Sequence, residues 1–199
     1  MSHANFEQAR QHLIDRLARE LSPAVTYHSL AHTLEEVFPT ADQFAALENV
    51  AGEDLLLLRT AAVYHDAGFV EQHHDHEEGS ARIAAAALPD FGYTPDQIAV
   101  ISGIIMATRL PQTPHTLLEQ IMADADLSVL GRANYLLRNA ALRQELASFG
   151  QVMTDEQWYG RQYKFIRDHR YFRATARRLF DAQKQINVAA IAALLEQSQ

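Results

Sequence analysis

The chain contains no cysteine, so neither a disulfide nor a thiolate metal site can form. The absence fits a reducing compartment. No run approaches the roughly 18 consecutive apolar residues that a membrane span requires. The opening MSHANFEQARQHLIDRLARE carries charge throughout, where a signal peptide would have an apolar core. The expectation is a cytoplasmic protein with no membrane contact. Positive charge is also in short supply: 17 Lys and Arg stand against 25 Asp and Glu, a net −8. A large nucleic-acid surface is thereby excluded, since it needs a positive face. A single nucleotide, held through a metal and a few arginines, is not.

What is present favours helices. Ala and Leu are abundant, β-branched runs are scarce, and no alternating strand pattern, internal repeat or low-complexity linker occurs. With 199 residues, 48% hydrophobic and 21% charged, the chain is long enough for one domain with a proper core. Phe6, Ala9, Leu13, Leu17 and Leu21 form a helical stripe over residues 5–21. A second helix is expected from about Ser29 to Val50, kinked or split at Pro39. EDLLLLRTAAVYHDAGF reads as a mostly buried helix with Gly68 near its C-terminal end. Further helices are expected over 77–88, over 95–108 behind a Thr94 cap, over 116–122, over 126–149, and from Thr154 through Phe165. Two more should close the chain. The class is all-α.

Four pieces carry metal-binding chemistry. In YHSLAHT, His28 and His32 are four apart, a spacing that on a helix puts both rings on one face with Cβ atoms roughly 5–6 Å apart. His65 and Asp66 follow an apolar helix. Neighbouring helical side chains diverge by about 100°, so both reach one metal only near the helix end; a histidine capping the terminus beside a solvated aspartate is the alternative. The third piece is HHDHEEGSA, where His76, Glu77 and Glu78 open a helix and His73 and His74 suit a solvated loop. The fourth is ADADLSVLG, whose Asp124 and Asp126 point to nearly opposite sides of a continuous helix. One of the two ligates; the other caps a helix or reaches the site from outside. Imidazole and carboxylate without sulfur suit Zn, Fe, Mn or Ni, with Mg possible where oxygen dominates.

The order H…HD…D resembles the HD-domain superfamily of metal-dependent phosphohydrolases, carried here by His32, His65-Asp66 and Asp126. The likeness covers about residues 27–132. It includes the blocks HDAGF, HEEGSA, FGYTPDQI, IMAT and ADADLSVLGR, which are similar to those of small bacterial predicted HD phosphohydrolases. The resemblance implies a single-domain HD-type helical bundle spanning 1–199, with a metal-site core at 27–132 and C-terminal helices at 133–199. It implies that His32, His65, Asp66 and Asp126 bind one divalent metal, and it selects Asp126 over Asp124. YHSLAH is similar to the YHNxxH of cyclic-nucleotide phosphodiesterases, which makes His28 the proton donor to the leaving group, although Ser29 stands where they have asparagine. His76 matches a histidine that holds a second metal in binuclear members. IMATRLPQTPH offers threonine where those members have a further histidine. A second metal is therefore expected to be weak, with His76, Glu77 and Asp124 as its ligands or as rim residues.

The function implied is metal-dependent hydrolysis of a phosphate ester, on a nucleotide or other small phosphorylated metabolite, with Asp66 or Asp126 accepting the proton of the attacking water. Arg109, after IMAT, is a candidate phosphate hand, and Arg161 and Lys164 are further cations. Two other classes compete. One is a sensor that binds metal and nucleotide without useful turnover; the other is a di-iron oxygenase on the same scaffold.

Overall fold

Ala9, Leu13 and Leu17 bury the stripe of the first helix, α1 (Phe6–Glu20), while the Asn5 side chain caps it by accepting from Gln8 N. The computed structural model describes residues 4–199, and these form nine α-helices joined by short turns, with no strand among them.

The stretch with Pro39 stays helical from residue 30 to residue 47. Proline's missing donor and its clash with the carbonyl four residues back are absorbed by a π-helical turn, His32–Val37, directly before α2 (Phe38–Leu47). There the Phe38 N–H donates to Thr33 O, five residues back. π-Turns inside helices frequently mark functional sites, and this one begins at His32.

The apolar α3 (Gly52–Tyr64) is buried on nearly all sides from Leu57 onward, as a helix without a polar face must be. It packs against α1, α2, α5 (Pro95–Met106) and α6 (Leu117–Asp126). Leu58, Ile101, Ile104, Ile105 and Ile121 meet there, fully buried. Each such side chain contributes about 1.5–3 kcal/mol relative to exposure. Thr94 and Thr116 close capping boxes with Gln97 and Glu119, which sets the first residues of α5 and α6.

The C-terminal side departs from the expectation in its boundaries. α6 does not stop at Met122. Nothing between 117 and 126 breaks a helix, and Ile121, Met122, Ala123 and Ala125 are all buried, so it runs through Asp126. The predicted 126–149 helix is interrupted by a tight 3₁₀ turn, Leu127–Gly131, before α7 (Tyr135–Ser148). Gly131 closes this turn against Phe180, and only glycine fits there, since a Cβ would lie 2.4 Å from Phe180 Cβ. After α8 (Asp155–Asp168), the two predicted closing helices are one, α9 (Ala174–Gln197), which has neither glycine nor proline to divide it. Val129, Leu130, Tyr135, Ile166 and Ile191 make a second apolar cluster beneath α7–α9. Among the described residues, no helix is long and apolar enough to cross a membrane.

Candidate metal centre

α3 ends at Tyr64; His65 keeps helical angles, but Asp66 turns to φ −103°, ψ 8° before a 3₁₀ turn, Ala67–Val70. That change of direction lets adjacent residues face one point, and His65 Nε2 lies 3.1 Å from Asp66 Oδ2. His32 Nε2 is 3.8 Å from both Asp66 Oδ2 and Asp126 Oδ1, and His65 Nε2 is 3.6 Å from Asp126 Oδ1. Metal bonds of about 2.0–2.2 Å put neighbouring ligand atoms roughly 3.0–3.5 Å apart, close to these separations.

Hydrogen bonding also fits a cation. His32 Nε2, His65 Nε2 and Asp66 Oδ2 are buried and have no hydrogen-bond partner. Such atoms cost free energy unless something satisfies them. The other ring nitrogens are occupied: His32 Nδ1–H donates to Glu36 Oε2 at 2.9 Å, and His65 Nδ1–H to Ala62 O at 2.9 Å. This leaves each Nε2 as the metal-facing lone pair. Burial pushes the Asp66 carboxyl up, but the charge of His65 and the His76 ring beside it outweigh this and hold Asp66 well below the usual range. Burial likewise opposes ionisation of Asp126, and His32 and His65 bring it down to about 2. Desolvation lowers His65, yet Asp66 and Asp126 raise it well above its ordinary value. The pocket is built to favour positive charge, and a divalent ion would displace those protons.

His28 does not share a helix with His32, because the helix begins only at Leu30. Its position is set from far along the chain. Glu145 of α7, fully buried, accepts from Tyr27 N at 2.7 Å and His28 N at 3.0 Å through Oε2, and from His28 Nδ1–H at 2.5 Å through Oε1. Burial raises the Glu145 carboxyl, and these donors reverse the shift and keep it low. The His28 ring stacks on Phe69 at 4.3 Å, with Nε2 left for the cavity that it lines. Glu145 had only a faint sequence signal: an acid on the buried side of α7, next to Leu146. Glu36 was missed as well; it sits one turn after His32, where a hydrogen bond between the two side chains is local.

His76 opens α4 (His76–Ala87), with Nε2 3.4 Å from Asp66 Oδ1 and 3.6 Å from Glu77 Oε1. Gly68 makes this possible in a way its reading as a helix terminator did not foresee. A Cβ at 68 would lie 2.0 Å from His76 O and 2.8 Å from Ser80 N, so only glycine lets α4 come this close. His73 is half-buried against Phe149, 3.4 Å from Glu145, whereas His74 is exposed. Arg109 stands at the cavity mouth with its guanidinium already bound to Asp75 at 2.6 Å and Glu78 at 2.7 Å. Among the described residues, the ligand atoms of His32, His65 and Asp66 form the group that lies within 4.8 Å throughout.

Asp124 is not brought to the centre. It faces the opposite side of α6, and its two carboxylate oxygens accept from Phe172 N and Arg173 N, each at 2.8 Å, at the start of α9. Asparagine offers one acceptor where aspartate offers two, which leaves a part-buried N–H unpaired. Asp124→Asn is therefore expected to cost about 1–3 kcal/mol of stability with metal content unchanged. Asp126→Asn should do the reverse. Urea unfolding and elemental analysis of both variants check this, and metal loss confined to Asp124→Asn would reverse the assignment.

The arrangement is a helical bundle that collects two imidazoles and two carboxylates from π-turn, helix end and helix end. The same fold occurs in the solved structure of a predicted HD superfamily hydrolase from an uncultured Thermotogales bacterium. That protein is 20% identical, and the match covers 94% of this chain and 91% of that one with a TM-score of 0.64. The chain thus has the HD-type fold. No protein-family model and no curated protein matches its sequence.

Proposed function

We propose that the protein is a metal-dependent hydrolase of phosphate esters, acting on a nucleotide or another small phosphorylated metabolite. The observation that carries this reading is the set of three buried, unpartnered ligand atoms on His32, His65 and Asp66, with Asp126 beside them. The fold shared with a predicted HD superfamily hydrolase supports it.

His32, His65, Asp66 and Asp126 would hold the ion, with Glu36 and the Ala62 carbonyl fixing the two rings. A bound divalent metal supplies Lewis acidity for a phosphoryl oxygen and lowers the pKa of water. The Asp66 carboxylate, bridging toward His76 through Oδ1, takes the proton of the attacking water. His28, its Nδ1–H committed to Glu145, delivers a proton from Nε2 to the leaving oxygen. Glu145 supplies the counter-charge while the ring carries two protons, and it aims the ring.

The test is phosphate release from a panel of nucleotides, cyclic nucleotides and sugar phosphates by chelator-treated protein given Mn, Fe, Ni, Zn or Mg. Turnover is expected only with added metal. No release from any ester with any of the five ions would leave a binding module instead.

A further inference from the structure

The cavity at the metal centre, about 490 Å³, does not end there. A second chamber of about 600 Å³ adjoins it, and Leu110, Leu127, Leu142, Arg161, Gln162 and Phe165 line both. The two ends differ in chemistry. Histidines and carboxylates crowd the first, whereas Leu110, Pro111, Leu142, Phe165 and Phe172 wall the second.

Several polar groups of the second chamber are already engaged. Gln112 donates to Ala123 O at 3.0 Å, and Gln162 Oε1 accepts from Asn139 at 2.8 Å. Asp168 is bound by Arg167 at 2.8 Å, and Arg170 donates to the carbonyls of Arg167 and His169. Both His169 ring nitrogens are sealed from solvent and have no hydrogen-bond partner. Burial, with the charges of Lys184 and Arg170, brings the pKa of His169 down to about 3, so the ring is neutral. Hydroxyl groups laid against Leu110, Pro111, Leu142, Phe165 and Phe172 would lose water without finding a partner on that wall, an unfavourable exchange. Arg170 meets only backbone carbonyls, and two cations on α8 remain as well. Arg161 and Lys164 make no ion pair among the described residues, whereas Arg109, Arg138, Arg143, Arg167 and Arg173 are all paired with acids.

We infer that the chambers form one substrate groove, in which a flat apolar body occupies the α8 chamber and Arg161 holds an anionic oxygen where the chambers meet. The inference rests on the proposed hydrolase reading and narrows it: the substrate is a phosphate ester of an aromatic or similarly planar apolar group, and simple sugar phosphates fit poorly. Arg161 takes the phosphate-binding role that the sequence suggested for Arg109, whose guanidinium is occupied. Phe172 and Leu110, 37% and 55% exposed, are large apolar side chains left open on this wall. A planar ligand would cover them.

Two sulfonates that cannot be hydrolysed test this on the full chain with metal present. Naphthalene-2-sulfonate, followed by its fluorescence, should bind at least about tenfold more tightly than 2-hydroxyethanesulfonate, followed by calorimetry, because apolar-pocket contacts discriminate on that scale. Phe172→Ala should weaken only the naphthalene probe, and Arg161→Gln should weaken both. Equal affinities for the two probes, or a naphthalene affinity indifferent to Phe172 and Arg161, would overturn the groove whatever the protein hydrolyses. Binding that depends on both residues, in a protein that releases no phosphate from any ester, upholds the groove and removes the hydrolase reading instead.

Discussion

Asp66→Ala is expected to emerge from purification without metal and to lose more than about 100-fold in phosphate-ester turnover. That floor follows because loss of an outer hydrogen-bonding partner alone typically costs 10- to 100-fold, and Asp66 sits among the ligand atoms themselves. Its Oδ2 faces both His65 and His32, and its Oδ1 faces His76, so the substitution empties the middle of the cluster. Elemental analysis should find one metal per wild-type chain and none in the variant, with matching circular dichroism. A folded Asp66→Ala protein that keeps its metal would sink the assignment.

The second large effect separates chemistry from metal binding. His28→Ala should retain the metal and lose about 10²- to 10⁴-fold in turnover, the usual range for a positioned acid. The loss should depend on the leaving group. An alkyl phosphate ester needs the proton and suffers fully, whereas 4-nitrophenyl phosphate, whose leaving group departs as an anion, is nearly spared. Glu145→Gln should follow the same pattern with a smaller amplitude. It keeps one acceptor near Tyr27 N and His28 N but loses the charge opposite the ring. Uniform losses across both esters would make His28 and Glu145 structural.

Much of the local structure was open to reading from the residues because its causes are local. The stripe of α1, the caps at Thr94 and Thr154, and the all-round apolar character of α3 depend on side chains within one or two turns of one another. The absence of cysteine likewise excludes any thiolate metal ligand. Boundaries were less legible where the deciding contact was distant. Gly131, closing the turn after α6, owes its identity to Phe180, and Gly68 to a backbone that begins eight residues later.

The site divides in the same way. Residue types and their order pointed to His32, His65, Asp66 and one of Asp124 and Asp126, and the resemblance to the HD-domain superfamily selected Asp126. Their separation of a few ångströms, however, depends on how π-turn, α3 and α6 pack. Glu145, 117 residues from His28, had only its place on the buried side of α7 to announce it. The engagement of Arg109 by Asp75 and Glu78, with Arg161 left unpaired, is likewise a product of packing. Helical periodicity tells which face of a segment is buried. Which distant face it meets is decided by the assembly of the whole core, and with it which polar groups are consumed and which remain for a ligand.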